Sequence, residues 1–389
     1  MYESLQIDNF RGLRHLELPV LAPVTILTGR NNAGKTSILE ALFLHSAGPR
    51  AAQALLTILR PYRLSGGGLN VEFSRNSTPW EMAFYNRDPG EPIRIVAEWD
   101  GRQVTVGLSV PRDRVSGSIA PNLQSAPASS TSSTSTLSAL PSFSYSMRIT
   151  IDIESRQSPA PEHREFIQTI TAQLGQALLG PSGLQQTGGV SLELKPETDS
   201  DALILAYFLG PQTRSPQAEL VQRYTNIRLD GKERLFLHAM QAIAPEMKKI
   251  EILSTGTPTL YVTFRDGPPL PMTVMGEGIV AVANYAAAIL ENKRGLILID
   301  EIENGIHYTA LERVWQQIGR AVKDSGAQVV ASTHSYECVQ AAYSAFRKSP
   351  NQLQLIQLQS DDDSQAATVA ADYDLETLEG ALEMRLDLR

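Results

Sequence analysis

The stretch Gly29-Arg30-Asn31-Asn32-Ala33-Gly34-Lys35-Thr36 decides the fold of this 389-residue chain. It has the spacing of a glycine, four residues and Gly-Lys-Thr. An apolar run over residues 23–28 precedes it, and apolar residues at helical spacing follow it over 36–45. The context of strand, loop and helix is that of a phosphate-binding P-loop. A chance glycine-rich turn is the alternative, which the flanking strand and helix disfavour.

Each part of this stretch has a chemical task at a phosphate. The glycines let backbone N–H groups and the helix N-terminus point at phosphate oxygens. We expect Lys35 to reach the β and γ phosphates of ATP and to take part in the chemistry, and Thr36 to offer its hydroxyl to Mg²⁺. The residues predicted to bind the nucleotide in this loop are Gly29, Arg30, Asn31, Asn32, Ala33, Gly34, Lys35, Thr36 and Ser37.

A second motif, Leu296-Ile297-Leu298-Ile299-Asp300-Glu301, has four apolar residues followed by two carboxylates. The apolar run is typical of a buried parallel strand, and ligands gather at the carboxyl ends of such strands. We predict that Asp300 holds Mg²⁺ and that Glu301 orients or deprotonates the attacking water. A strand followed by a solvated acidic turn is the alternative.

The strand predicted over residues 328–332 ends in Thr333-His334-Ser335. A histidine at the carboxyl end of a neighbouring parallel strand lies near the γ-phosphate or the attacking water. We therefore predict that His334 is a catalytic phosphate sensor. A satisfied structural histidine is the competing interpretation.

Composition sets the class of protein. The chain is 42% hydrophobic, with a formal net charge of −8 and one cysteine, Cys338. The longest apolar runs fall short of the roughly 20 residues that a membrane span requires, and the N-terminus lacks a secretory signal. We expect a cytoplasmic protein without a membrane partner. The net charge leaves open a local basic strip that binds nucleic acid.

The pattern along the chain predicts an α/β protein in three parts. Residues 1–154 form an N-terminal lobe with short antiparallel strands and a Ser-rich insertion at 112–142 that we expect to be disordered. Residues 155–250 form an insertion of helices and strands, including a helix over 164–179. Residues 251–389 alternate helix and strand, which indicates a parallel sheet.

These motifs resemble the ABC-type ATPase heads of the RecF, SMC and OLD-like branch, often called AAA ATPases. The likeness extends from Ile7-Asp8-Asn9-Phe10-Arg11-Gly12-Leu13, through the P-loop and Asp300-Glu301-Ile302-Glu303-Asn304-Gly305-Ile306-His307-Tyr308, to the tail from Tyr373 to Arg385. The resemblance implies a P-loop head with a sheet-rich lobe and a helical insertion. It also implies that two heads sandwich two ATP molecules as a homodimer.

In that family a signature loop from one subunit completes the site of the other. Met275-Gly276-Glu277-Gly278 stands where the loop belongs, although it departs from the fuller Leu-Ser-Gly-Gly-Gln form. Gly276, Glu277 and Gly278 are thus predicted to contact the partner's ATP. A plain glycine-rich helix start is the alternative. The resemblance also places Arg11, Gln212 and Arg214 near the nucleotide or the attacking water.

Two functions remain open for the nucleotide switch. The first is a DNA-associated ATPase in genome maintenance or anti-phage defence. The second is a protein scaffold that holds or releases an effector toxin or nuclease according to its nucleotide state. We expect no Toprim nuclease domain, because only short elements follow His334. The P-loop sequence and the divergent signature disfavour the motor of a membrane transporter.

Overall fold

The computed structural model describes residues 1–59, 81–110, 116–118, 142–155, 158–173, 177–180, 183–186, 191–195, 203–210, 217–254, 256–265, 267–360 and 368–384. Strands and helices are numbered separately in chain order.

A six-stranded sheet carries the motifs. All of its neighbouring strands pair in parallel except the last two, which pair antiparallel. In order of pairing, the strands are β12 (Ala206–Leu209), β16 (Leu296–Ile299), β17 (Gln328–Ser332), β3 (Val24–Gly29), β18 (Leu353–Ser360) and β19 (Thr368–Tyr373). Since β16, β17 and β3 are consecutive and parallel, the residues that follow them meet at one edge of the sheet.

Helices cover this sheet. They are α1 (Lys35–Ala47), α2 (Ala51–Leu59), α3 (Gln217–Leu229), α4 (Glu233–Gln241), α5 (Glu277–Glu291), α6 (Tyr308–Ser325), α7 (Tyr336–Phe346) and α8 (Leu375–Glu383). Strand β16 shows how the sheet divides the core. Leu296 and Leu298 join the apolar cluster that contains α1 residues, whereas Ile297 and Ile299 join the cluster that contains α5 and α6 residues. The two-residue period of a strand produces this division.

A second, antiparallel sheet packs on the α1 side. Its main path runs β11 (Ser191–Lys195), β8 (Ser158–Gln173), β7 (Ser142–Ser155), β5 (Arg102–Ser109), β4 (Ile93–Trp99), β1 (Tyr2–Phe10) and β2 (Leu13–Leu18), and β6 (Ser116–Ser118) pairs with β7. Smaller sheets are formed by β9 (Ala177–Gly180) with β10 (Gly183–Gln186), and by β13 (Met247–Ser254), β14 (Pro258–Phe264) and β15 (Leu270–Pro271).

The far end of α1 is anchored to the antiparallel sheet by a buried histidine. The Tyr2 hydroxyl lies 2.8 Å from His45 Nδ1, and His45 Nε2 lies 2.9 Å from the Val104 carbonyl oxygen. Burial lowers the pKa of His45 to about 4, against the opposing effect of the bond to Val104. The imidazole is therefore neutral at the pH of most cells.

The predicted α/β class is confirmed, but one predicted helix is wrong. Residues 164–179 were expected to be helical, whereas 164–173 belong to β8 and 177–180 form β9. Segment 166–171 is Phe-Ile-Gln-Thr-Ile-Thr, which suits a strand, and β8 pairs with β7 along most of its length. Long-range pairing overrides the helical spacing. The predicted disordered segment 112–142 lies outside the described residues, apart from β6 and Ser142.

The domain boundaries after residues 154 and 250 stay predictions. Helices α3 and α4 lie within the predicted insertion. Cys338 is buried. In the described part of the chain, none of the helices has both the length and the apolar character that a membrane crossing needs.

Candidate active site at the P-loop

The P-loop joins the end of β3 to the start of α1. Gly29 has φ 135° and Gly34 has φ 97°, values that L side chains rarely adopt. A Cβ on Gly29 would also lie 2.4 Å from the Leu358 carbonyl oxygen. The first glycine of the motif is therefore required both by its conformation and by the close approach of β18.

The Lys35 side chain folds back over this loop. Its Nζ donates to the carbonyl oxygens of Gly29, at 2.6 Å, and Arg30, at 2.9 Å. Burial lowers the pKa of Lys35, and the nearby charges of Asp300, Glu303 and Glu301 oppose that shift. The ammonium group is thus held at the mouth of the loop by two neutral carbonyl groups.

Thr36 and Asp300 meet across two strands of the sheet. Thr36 Oγ1 donates to Asp300 Oδ2 at 3.0 Å and to Oδ1 at 3.2 Å. Ser332, at the end of β17, donates its hydroxyl to Asp300 Oδ1. Residues that are 264 positions apart in sequence are therefore joined in one hydrogen-bonded cluster at the carboxyl edge of the sheet.

The cluster suits a nucleotide-bound Mg²⁺. A threonine hydroxyl and a carboxylate are hard oxygen ligands, and Mg²⁺ needs only one or two of these when phosphates and water complete its shell. Within the described residues no group of three or more His, Cys, Asp or Glu side chains is placed to hold a metal by itself. The donor set therefore fits a metal that arrives with the nucleotide.

Glu301 follows Asp300 in an unusual backbone conformation. Its φ is 53°, and its backbone N–H donates to Ser332 Oγ at 2.9 Å. The left-handed conformation of a non-glycine residue is costly and is found where the surroundings enforce it. Ser332 thus contacts both carboxylate residues of the motif and fixes the turn that directs them.

His334 is bound to a carboxylate that the sequence did not single out as catalytic. Its Nδ1 lies 3.1 Å from Glu303 Oε1, and its backbone N–H donates to the same oxygen at 3.0 Å. The His334 side chain is half exposed, whereas the Glu303 side chain is 12% exposed. The histidine is therefore tethered on one side and open to solvent on the other.

A buried ion pair forms a further wall of the site. Arg11 Nε and Nη2 donate to the two carboxylate oxygens of Glu40, at 2.9 and 3.0 Å. Burial raises the pKa of Glu40 to about 7, while Arg11 opposes this shift and Asp300 adds to it. The fork of Arg11 is thus fixed in a bidentate geometry beside the P-loop.

One cleft of ≈ 680 Å³ brings these groups together. Its walls include the P-loop, both carboxylates of the β16 motif and His334, which are the main residues predicted for the site. The lining residues are Arg11, Gly12, Asn31, Asn32, Gly34, Lys35, Thr36, Ser37, Glu40, Met82, Phe84, Asn86, Arg87, Asp300, Glu301, Ser332 and His334.

The signature-like residues lie elsewhere. Gly276 precedes α5, and neither it, Glu277 nor Gly278 lines the cleft. A Cβ on Gly278 would lie 2.3 Å from the Gly305 carbonyl oxygen, whereas one on Gly276 would have open space within 4 Å. The start of α5 therefore packs on the turn after β16 but presents an open face. Gln212 and Arg214 lie outside the described residues.

Several residues in or beside the cleft escaped sequence reasoning. Segment 82–87 carries no motif and reaches the cleft because Phe84 forms an isolated bridge with Phe10. Ser332 and Glu303 stood inside stretches already singled out, so their positions beside functional residues were the available signal. Glu40 lies one helical turn after Thr36, a spacing that places both on one face of α1.

Comparison with known proteins identifies the family. The model of the family described as "AAA domain, putative AbiEii toxin, Type IV TA system" matches residues 24–339, which is most of the chain. An "ATP/GTP phosphatase" of Helicobacter pylori is 24% identical over 381 residues, covering 93% of each protein.

More distant similarities are partial. The DNA replication and repair protein RecF of Nitrosococcus oceani is 52% identical over 44 residues, which are 11% of this chain and 12% of RecF. The DNA double-strand break repair Rad50 ATPase of Archaeoglobus fulgidus is 31% identical over 93 residues, which are 24% of this chain and 10% of Rad50.

A solved Smc head domain from Pyrococcus furiosus, bound to the C-terminal domain of ScpA, aligns over 99% of both chains. Its TM-score is 0.45 and its identity 11%. Since the family model spans the P-loop, both carboxylates and His334, the chain belongs to this AAA-domain family of P-loop ATPases.

Proposed function

We propose that the cleft hydrolyses ATP with Mg²⁺ and that the site is completed by a second copy of the chain. The observation that supports this most directly is the hydrogen bonding of Thr36 to Asp300, which joins the P-loop to the β16 motif. When bound, Mg²⁺ would be held by these two side chains and would neutralise charge on the β and γ phosphates. The P-loop N–H groups and Lys35 would bind the same phosphates.

The remaining residues of the cleft orient the attacking water. Glu301 is the proposed general base: its carboxylate accepts the water proton as the water oxygen bonds to the γ-phosphorus, and the bond from that phosphorus to the β–γ bridging oxygen breaks, which releases ADP and phosphate. His334 contacts the γ-phosphate or the water from the adjacent strand. Arg11, fixed by Glu40, supplies positive charge at the side of the cleft. The chemistry is mainly positioning and charge stabilisation, as phosphoryl transfer requires.

The start of α5 supports a shared site. Gly276 is exposed with open space around it, and the apolar side chain of Val274, two residues before it, is 68% exposed. Exposed apolar groups next to an open helix N-terminus are suited to contact with another protein surface. In the proposed dimer, Gly276, Glu277 and Gly278 of each copy approach the ATP of the other.

We further propose that the dimer works with DNA, in genome maintenance or anti-phage defence in the cytoplasm. Support comes from the partial similarity to RecF, a DNA replication and repair protein, and to Rad50, a DNA double-strand break repair ATPase. A second candidate is a switch that holds or releases an effector protein. It is favoured by the description of the family as a putative AbiEii toxin of a type IV TA system. Both functions use the same hydrolytic cycle and differ in what the closed dimer holds.

The test combines Mg²⁺-dependent ATP hydrolysis with mass in solution. Wild type and Glu301→Gln are compared with and without double-stranded DNA, over a dilution series. We expect wild type to hydrolyse ATP with a specific activity that falls on dilution, and the variant to persist as an ATP-bound dimer. Constant specific activity deep in the monomeric range would overturn the shared site.

DNA separates the two candidate functions. Retention of DNA by the Glu301→Gln dimer that weakens as salt rises supports the first function, because phosphate contacts release counterions. A dimer that does not bind DNA and that co-purifies with one defined protein supports the second function, the effector switch.

A further inference from the structure

Glu303 lies in the turn after β16, two residues beyond Glu301, but it does not line the cleft. Its Oε1 accepts a hydrogen bond from the His334 backbone N–H at 3.0 Å, and the ring Nδ1 of the same histidine lies 3.1 Å from that oxygen. One oxygen therefore fixes the backbone and the ring of the same residue. Glu303 acts on the cleft through His334.

The chemistry of the two groups determines which ring nitrogen carries hydrogen. A carboxylate oxygen accepts hydrogen bonds, so the imidazole nitrogen that faces it must be a donor. The bond made by one nitrogen sets the state of the other. With Nδ1–H directed to Glu303, the nitrogen left for the cleft is Nε2.

The other oxygen of Glu303, Oε2, adds no hydrogen bond within the described residues, although it is buried. A buried acceptor without a partner is unfavourable, and an apolar side chain of similar shape avoids that cost. The contacts of Oε1 with His334 are thus what a carboxylate supplies at this position.

We propose that Glu303 is a positioning residue that holds His334 in the Nδ1–H tautomer, so that Nε2 is presented to the cleft as a hydrogen-bond acceptor for the attacking water. Its catalytic meaning rests on the proposed hydrolysis at this site. The arrangement gives the two acidic residues different tasks: Glu301 acts on water in the cleft, and Glu303 orients the imidazole from behind.

The test reads the tautomer directly. The full chain is labelled with ¹⁵N-histidine, and the ring signals of His334 are assigned by their loss in His334→Gln, since the chain has six histidines. Spectra at about pH 8, where an ordinary imidazole is neutral, are compared for wild type, Glu303→Met and Glu303→Gln. Met keeps the shape without an acceptor, and Gln retains an acceptor oxygen.

We expect wild type and Glu303→Gln to show the Nδ1–H tautomer, and Glu303→Met to lose it. The kcat for ATP should fall roughly 10- to 100-fold in Glu303→Met, the range produced by loss of an orienting partner at other histidine sites. KM should change little, and Glu303→Gln should recover most of the loss.

Two results overturn the proposal: an Nε2–H tautomer in wild type, or a fall in kcat of Glu303→Met with the tautomer unchanged. The tautomer measurement needs no turnover. A wild-type chain that does not hydrolyse ATP, yet loses the Nδ1–H tautomer in Glu303→Met, therefore refutes the proposed function while confirming the positioning contact.

Discussion

The cleft at the P-loop and the N-terminus of α5 differ in how much of their bonding one chain completes. In the cleft, Asp300 accepts hydrogen bonds from Thr36, at the start of α1, and from Ser332, at the end of β17. At α5, Gly278 is packed against Gly305, but Gly276 has open space in front of it. The difference teaches that a single chain preorganises the polar groups of the cleft, whereas the start of α5 keeps an open face.

The largest expected effect on ATP hydrolysis comes from two separate variants, one that disables the cleft and one that disables the N-terminus of α5. Lys35→Ala removes the cation at the phosphates and should lower kcat/KM by roughly 10³-fold, the upper range for loss of one stabilising donor. Gly276→Asp places a negative charge at the open face and should also inactivate the homodimer. Steady-state ATP hydrolysis measures both, with the exposed Lys323→Ala as a control expected to match wild type.

Mixing the two inactive chains sharpens the comparison. Half of randomly paired dimers combine one chain of each kind, and each mixed dimer has one intact cleft facing one intact α5 N-terminus. Activity should recover to about a quarter of wild type. No recovery at any mixing ratio, with dimers present, would contradict the assignment of the two regions to one composite site.

A second expected effect concerns the support of the cleft by α1. The pKa of His45 is lowered by burial from 6.5 to about 4, so the folded protein keeps this ring neutral while the unfolded chain takes up a proton below pH 6.5. The contribution of His45 to the free energy of unfolding is therefore fully present above pH 6.5 and is lost as the pH drops towards 4. The loss should reach about 3 kcal/mol in the free energy of unfolding.

Denaturant unfolding between pH 4 and 7.5 measures this loss. His45→Gln should flatten the pH dependence, because Gln does not titrate, whereas the exposed His238→Gln should leave the slope as in wild type. An unchanged slope in His45→Gln would show that other groups cause the acid sensitivity.

The third effect separates packing from function at α5. Gly278→Ala brings a Cβ to 2.3 Å from the Gly305 carbonyl oxygen and should destabilise the fold by about 2 kcal/mol, as overpacking does. Gly276→Ser enters open space at the N-cap position of α5, where serine is favoured, so thermal unfolding should be unchanged or slightly raised. Equal destabilisation by both variants would remove the distinction between a packed and an open glycine.

The regions that the sequence predicts best are those decided by local pattern. Strands β16 and β17 have the predicted bounds, residues 296–299 and 328–332, because short apolar runs ending in polar residues are typical of buried parallel strands. The P-loop motif also has the predicted context, because β3 precedes it and α1 follows it. Their meeting in one cleft follows from parallel topology, which places the ends of neighbouring strands together.

The features that sequence reasoning missed depend on distant partners. Residues 164–173 of β8 were predicted to be helical because their apolar residues also fit helical spacing, and the pairing with β7 favours the strand. The Arg11–Glu40 pair joins residues 29 positions apart, and Glu303 reaches a histidine 31 positions away. Pairings of this kind depend on tertiary structure, which overrides local propensity.

The smallest expected effect tests how firmly the cleft is preorganised. Ser332→Ala removes the hydroxyl that donates to Asp300 and accepts the Glu301 N–H. Since Thr36 still contacts Asp300, metal binding is weakened rather than lost, and kcat should fall about tenfold with a modest rise in the Mg²⁺ concentration needed for half-maximal rate. Ser325→Ala, at the end of α6, is the matched control and should behave as wild type. An unchanged kcat in Ser332→Ala would mean that the ends of the strands fix the left-handed turn at Glu301 without the Ser332 hydrogen bonds. The cleft would then be preorganised within one chain even more firmly than its hydrogen bonds indicate.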